Sequence, residues 1–105
     1  MKKNITEIAK VVRTKNSGPF ELTLDIIFKD RKYYDIIKKK GYITKVLISK
    51  LYKVPLNKVG EPVFFEPANA VKITIARKIP SGTIGDTDVY GAQQHAPLLG
   101  LSFNI

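Results

Sequence analysis

A chain of 105 residues can bury one hydrophobic core but is too short for two domains, so we expect residues 1–105 to form a single domain. Apolar residues make up 44% of it, which excludes a disordered chain, and the lack of cysteine excludes disulfides, thiolate metal sites and thiol nucleophiles. The net charge of +9 arises in the first 60 residues, where 15 Lys and Arg outnumber 5 Asp and Glu, so an acidic partner or nucleic acid is a candidate.

The start of the chain and the type of its cations narrow these classes. Asn4, Thr6 and Glu7 interrupt any apolar run after Met1, which predicts no signal peptide, and no stretch approaches the ~20 apolar residues of a membrane span. Together with the lack of cysteine, this favours a cytoplasmic protein with no membrane partner. Of the 18 cations 15 are Lys, and because specific readers of bases and phosphates rely on bidentate Arg, nucleic-acid binding is unfavoured.

The first 28 residues contain one ambiguous segment and one clear strand. The spacing of Ile5, Ile8 and Ala9 fits a short helical turn, although a strand starting at Ala9 and ending at Arg13 fits equally well. Residues 14–19 carry a dense turn signal and predict a first polar loop. From Phe20 to Phe28 the residues alternate, which predicts a strand with one apolar face formed by Phe20, Leu22, Leu24, Ile26 and Phe28 and one polar face with Glu21, Thr23 and Asp25.

Two helices are predicted next. Asp30 is the expected N-cap of a helix over 31–40, which Gly41 ends and whose C-terminal lysines, 38–40, suit the helix dipole. Thr44 is the expected N-cap of a second helix over 45–53, closed by Pro55. The core-like positions of this second helix are Val46, Leu47, Leu51 and Val54.

Three further strands complete the predicted fold. Residues 63–65 are a short apolar run that predicts a buried strand, residues 69–78 alternate with Val71, Ile73 and Ile75 inward, and alternation from Leu99 to Ile105 predicts a paired last strand. The predicted fold class is α+β: a mostly antiparallel sheet with two helices on one face, ferredoxin-like.

The segment from Ser81 to Pro97 is the best site candidate, because its 17 residues hold no Lys or Arg. It is too polar and glycine-rich for a core element, and long loops between good strands tend to be functional. We predict that it converges with the first polar loop on one site with a binding or accessory role. The candidate residues are Arg13, Lys15, Asn16, Asp86, Asp88, Tyr90, Gln93, Gln94 and His95.

Several chemistries are open to this segment. Asp86, Asp88 and His95 are adequate ligands for a divalent metal, but a helix N-cap at Asp86 or Thr87 is the favoured interpretation, so we predict no metal and no cofactor. His95 has the pKa of a general acid or base but no partner evident in the sequence. Phosphate-binding, dinucleotide-binding and nucleophile-elbow motifs are absent from the sequence.

Three segments carry a family resemblance, residues 11–25, 63–70 and 85–98, and the third, GDTDVYGAQQHAPL, is the most specific. Together they resemble the small bacterial and archaeal family called domain of unknown function 4387. Its members look like companions of the acyclic terpene utilisation (AtuA-like) proteins, beside which or fused to which they occur. The resemblance implies a small accessory subunit with an AtuA-like partner.

A second likeness is to the ferredoxin-fold domain at the C-terminus of AtuA-like proteins, which begins with an Arg-Ser-Gly-Asp-Lys-Gly type loop. Residues 13–18 stand in that place, with Arg13 and Gly18 matching and Asn16 replacing the acid. We therefore expect an accessory subunit or binding domain of a protein acting on organic or acyl substrates; the alternatives are a stand-alone small enzyme and a basic nucleic-acid-binding domain. A homo-oligomer or a hetero-complex is expected. The candidate contacts are Tyr33, Tyr34, Tyr52 and Phe103, for each of which a place in the core fits the sequence at least as well.

Overall fold

The computed structural model describes residues 2–18, 21–76 and 96–105. Its helices and strands form an α+β fold with antiparallel sheets, as predicted. The strands are β1 (Lys2–Asn4), β2 (Ala9–Gly18), β3 (Glu21–Phe28), β4 (Val63–Phe65), β5 (Ala70–Ala76) and β6 (Ser102–Asn104). The helices are α1 (Ile5–Ile8), α2 (Arg31–Lys40), α3 (Lys45–Tyr52) and α4 (Ala96–Leu99), with 3₁₀ turns at Leu56–Lys58 and Glu66–Ala68.

The larger sheet has the strand order β2-β3-β5-β4, and every neighbouring pair is antiparallel. The helices α2 and α3 connect β3 to β4, while β5 lies between these two strands. Leu24 lies opposite Ile73, and Ile26 opposite Val71. Because successive residues of a strand point to opposite faces, this register collects the apolar residues of β3 and β5 on one face.

That face is the main wall of the hydrophobic core. Its fully or nearly fully buried members were all predicted from the alternation: Leu22, Leu24, Ile26, Phe28, Val71, Ile73 and Ile75. Phe20, predicted on the same face, lies outside the described residues. Helix α2 contributes Tyr34 to the core. The centroid of its ring lies 6.5 Å from that of Phe28 and 5.8 Å from that of Phe64, and both pairs pack edge to face. Tyr34 and Phe103 are 0% and 5% exposed and pack inside the core, so for these two candidate contacts the core alternative is the correct one.

Both predicted helices are present, and local capping explains their ends. The Thr44 side chain accepts a hydrogen bond of 3.2 Å from the Leu47 amide, whereas Asp30 occupies the N-cap of α2 without a side-chain bond. Gly41 ends α2 with φ of 63°, the left-handed conformation that glycine adopts most readily. Val46 is 49% exposed, so its predicted core position is wrong: it lies on the side of α3 away from the buried Ile48.

A second, two-stranded sheet pairs β1 with β6. Asn4 caps α1 through a capping box, and Ile5 and Ile8 enter the core. The predicted strand from Leu99 is shorter than expected, because α4 ends at Leu99 and pairing begins at Ser102. Phe103 stacks on Tyr42 with ring centroids 5.6 Å apart, which joins β6 to the segment between α2 and α3.

The predicted first polar loop is wrong. Strand β2 continues through Thr14 to Gly18, because this stretch pairs with β3, and a register irregularity after Asn16 accommodates the turn-forming residues. Both interpretations of the preceding segment hold in part, a helical turn at α1 followed by a strand from Ala9. In the described ranges, no helix is long and apolar enough to cross a membrane.

Candidate functional site

The sheet face opposite the core carries a groove of about 330 Å³. Strand alternation places charged and apolar side chains on this face in rows that run across the sheet. The groove is lined by Arg13 and Lys15 from β2, Asp25 and Ile27 from β3, Val63 and Phe65 from β4, Ala68, and Ala70 and Lys72 from β5. We call it the charged groove.

One row of the charged groove is formed by ionised side chains. Arg13 lies opposite Asp25, Asp25 opposite Lys72, and Lys72 opposite Val63. Directly opposed positions in antiparallel strands have Cβ atoms about 5 Å apart, close enough for their side chains to interact. The strand register therefore places one cation on each side of the Asp25 carboxylate, Arg13 on β2 and Lys72 on β5.

The Arg13–Asp25 ion pair fixes the centre of this row. Arg13 Nε donates to Asp25 Oδ2 at 3.3 Å, and the side chains are 61% and 10% exposed, respectively. The carboxylate is thus almost covered while much of the guanidinium remains in contact with solvent. This bond uses Nε and leaves the two terminal amino groups of Arg13 outside it. In the described part of the chain these amino groups form no ion pair with another acid.

The neighbouring row is apolar. Ile27 lies opposite Ala70, and Ala70 opposite Phe65. Phe65 is 58% exposed and Val63, in the charged row, 60%, so the strand predicted at 63–65 is present but the prediction that it is buried is wrong. The reason is position: β4 is an edge strand, and only its middle residue, Phe64, turns towards Tyr34 in the core.

The charged groove has an excess of positive charge. Its lining holds three cations and one carboxylate, and the ion pair with Arg13 already balances that carboxylate. Among the residues described, Lys15 and Lys72 are in no ion pair. The groove lining contains no hydroxyl, thiol or imidazole, so its chemistry suits binding of an anion better than proton transfer.

A second groove lies on the other side of β4. It measures about 420 Å³, is more open, and is lined by Ile43, Thr44, Lys45, Val46, Leu56, Glu61, Pro62 and Phe64. Val46 and Leu56 are 49% and 47% exposed. The Lys45–Glu61 ion pair, with an Nζ–Oε1 distance of 3.5 Å, lies at its margin.

Other cations of the basic half are balanced locally. Glu66 forms ion pairs with Arg31 at 3.4 Å and with Lys38 at 3.6 Å, and Arg31 also pairs with Asp35 at 3.0 Å. The hydrogen bond to Asp35 raises the pKa of the Arg31 guanidinium. Arg31 and Lys38 also lie over the Tyr34 ring, so these two residues have structural partners in addition to any role in attracting an acidic molecule.

The sequence-predicted site is placed only in part. Arg13 and Lys15 line the same groove, and the Asn16 backbone lies in register with Leu22 one residue further along β2. The remaining candidates, Asp86, Asp88, Tyr90, Gln93, Gln94 and His95, lie outside the described residues. In the parts of the chain that are described, no three His, Asp or Glu side chains come together to hold a metal ion.

Seven groove residues were missed as site candidates: Asp25, Ile27, Val63, Phe65, Ala68, Ala70 and Lys72. A signal existed for two of them, since alternation placed Asp25 and Lys72 on polar strand faces. Their meeting depends on β3 and β5 being neighbours, and strand order is not encoded in a local pattern.

Comparison with known proteins gives one match. A family model described as "Domain of unknown function (DUF4387)" matches residues 5–102. The comparisons with curated proteins and with solved structures find no match.

Proposed function

The chain belongs to the DUF4387 family of domains of unknown function, and we propose that it is a small accessory subunit, or binding domain, of an AtuA-like protein acting on organic or acyl substrates. In this proposal the subunit is cytoplasmic and acts by docking onto its partner. The residues beyond Ala76, including Asp86 and His95, belong to the same proposal as further binding residues.

The observation that carries the proposal is an apolar belt around the edge strand β4. Large exposed hydrophobic side chains cluster there on both sides of the strand, and we call them the β4 belt: Val46, Leu56, Val63 and Phe65. Single exposed apolar residues are ordinary, but a contiguous group bordered by charges is typical of a protein-binding surface. The belt has such a border, with Lys72 and Lys15 on one side and Lys45 and Glu61 on the other.

Side-chain docking fits this edge better than strand addition. Pro62 precedes β4 and Pro67 follows it, and proline has no amide hydrogen to donate to an added strand. Strand β4 is also only three residues long. A partner would therefore bind the β4 belt through its own apolar side chains.

The fold part of the proposal is a ferredoxin-like arrangement with α2 and α3 on the core face. The support is topological: β3 connects through both helices to β4, with β5 inserted between the two strands, which is a split β-α-β unit. The ring contacts of Tyr34 with Phe28 and Phe64 support a position of α2 on the core side. An experimental structure with either helix packed on the Lys72 face would contradict it.

Co-expression with an AtuA-like protein from the same genome tests the docking. We expect the two chains to co-purify as a complex, and Val46→Ser with Leu56→Ser to weaken it at least tenfold in Kd, because both side chains leave water on binding. Leu99→Ser is the matched control, since Leu99 is also exposed, at 38%, but lies in α4. Failure of the two chains to associate, or equal loss with the control, would contradict the proposal.

A further inference from the structure

We infer that the charged groove is a binding site for a small organic carboxylate with an apolar chain. The inference goes beyond the proposed function, because it concerns a ligand of the isolated chain. The charged groove shares Val63 and Phe65 with the β4 belt, whereas the docking test substitutes Val46 and Leu56, which do not line this groove. Docking and ligand binding can therefore fail separately.

The first step is the polarity of the groove. Its apolar row, Ile27, Ala70 and Phe65, lies next to its charged row, Arg13, Asp25 and Lys72, one pleat along the same strands. A ligand lying along the strands would contact apolar side chains at one end and cations at the other. This order selects a molecule that is itself divided into an apolar part and a charged head.

The sign of the head follows from the charges. Asp25 is already engaged by Arg13, while Lys15 and Lys72, both exposed, are in no ion pair with any described residue. A carboxylate above this row would meet two cations, Arg13 and Lys72, with Lys15 one pleat further along β2. The terminal amino groups of Arg13 match a carboxylate in planar geometry. An ammonium head would meet the same cations and be repelled.

The size of the ligand follows from the groove. Its volume of about 330 Å³ lies at the lower end of the range for small-molecule sites, about 300–1,000 Å³. The Arg13–Asp25 pair also organises the site before binding, because the almost covered carboxylate holds the guanidinium in place. A site of this size and lining suits a short aliphatic acid.

Titration of the isolated ¹⁵N-labelled chain with sodium octanoate, followed by NMR, tests the inference. We expect saturable shifts of the amides of Arg13, Asp25, Ile27, Ala70 and Lys72. Octylammonium, which has the same chain, and inorganic phosphate, which has no chain, should bind at least tenfold more weakly.

Variants then separate specific recognition from general charge. Lys15→Gln with Lys72→Gln should weaken octanoate binding at least tenfold, whereas Lys39→Gln with Lys50→Gln removes the same charge from exposed helix positions and should leave it unchanged. The dispersed spectrum of each variant shows that it folds. The inference would be overturned if both double substitutions weakened octanoate binding equally, or if octylammonium or phosphate bound as tightly as octanoate. Amide shifts centred on the second groove, around Val46, would also overturn it.

Discussion

A buried tyrosine hydroxyl is the clearest residue-level feature of the core. Tyr34 is 0% exposed, and its Oη has no hydrogen-bond partner among the described residues, although its ring contacts Phe28 and Phe64. A buried polar group left unsatisfied costs about 1–3 kcal/mol, so removing it relieves that cost. We expect Tyr34→Phe to leave the free energy of unfolding unchanged or to raise it by about 1 kcal/mol in urea denaturation.

Tyr42 supplies the control for this substitution. Its hydroxyl donates to the Asn104 carbonyl at 2.6 Å, and its ring stacks on Phe103. Tyr42→Phe removes a real bond and should lower the free energy of unfolding by about 1 kcal/mol. If Tyr34→Phe is the more destabilising of the two, the hydroxyl of Tyr34 has a partner in solution.

Tyr52 predicts an alkaline limit to stability. Burial raises the pKa of its phenol above the usual value, because the charged phenolate would be poorly solvated. Below a pH of about 10, both folded and unfolded chains hold the proton; above it the unfolded chain loses the proton first, which favours unfolding. Stability should therefore fall as the pH rises above about 10.

Urea denaturation at a series of alkaline pH values checks this. The free energy of unfolding of Tyr52→Phe should fall less steeply with rising pH than that of the unsubstituted chain. Tyr33→Phe also removes one half-buried phenol, but its free energy of unfolding should fall as steeply as that of the unsubstituted chain. Identical slopes for all three chains would mean that the Tyr52 phenol is as well solvated in the folded state as in the unfolded one.

At the level of the elements, the two long helices differ in how their first turns are satisfied. Thr44 accepts from the Leu47 amide, whereas the Asp30 side chain makes no capping bond to α2. Thr44→Ala should lower the free energy of unfolding by about 1 kcal/mol. Asp30→Ala should lower the free energy of unfolding by less than Thr44→Ala does, since only the interaction of the Asp30 carboxylate with the helix dipole is lost. Chemical denaturation of the two variants decides the order, and a larger loss for Asp30→Ala would contradict it.

Elements with strict periodicity could be predicted from the sequence, and elements set by pairing could not. The alternation in β3 and β5 predicted the buried faces, because a period of two has one solution when one face is buried. The turn signal at 14–18 failed because pairing with β3 overrides local preference there. Arg13 and Lys15, which line the charged groove, were candidates from the sequence, whereas Phe65 was not, since its exposure depends on β4 being an edge strand.

At the scale of the whole molecule, the net charge of +9 acts on a small body. The chain measures 43 × 23 × 23 Å, so at an ionic strength of 0.01 M, where the screening length is about 30 Å, every charge interacts with most others. Ion pairs such as Arg31–Asp35 are exposed and contribute about 0–1 kcal/mol each. Repulsion among the excess cations should therefore outweigh these pairs at low salt.

This balance predicts that salt stabilises the fold. Raising NaCl from about 0.01 M to about 0.3 M should raise the Tm, because the screening length falls below 10 Å and repulsion is lost. Lys10 and Lys29 contribute to that repulsion, and both are exposed. Ala9 pairs with Phe28 across the two strands, and Lys10 and Lys29 are the residues that directly follow this pair. Lys10→Gln with Lys29→Gln should raise the Tm at low salt and shrink the salt-induced increase, measured by calorimetry. A Tm that falls with added salt would show that the surface ion pairs, and not the excess of lysine, dominate the electrostatics of the folded chain.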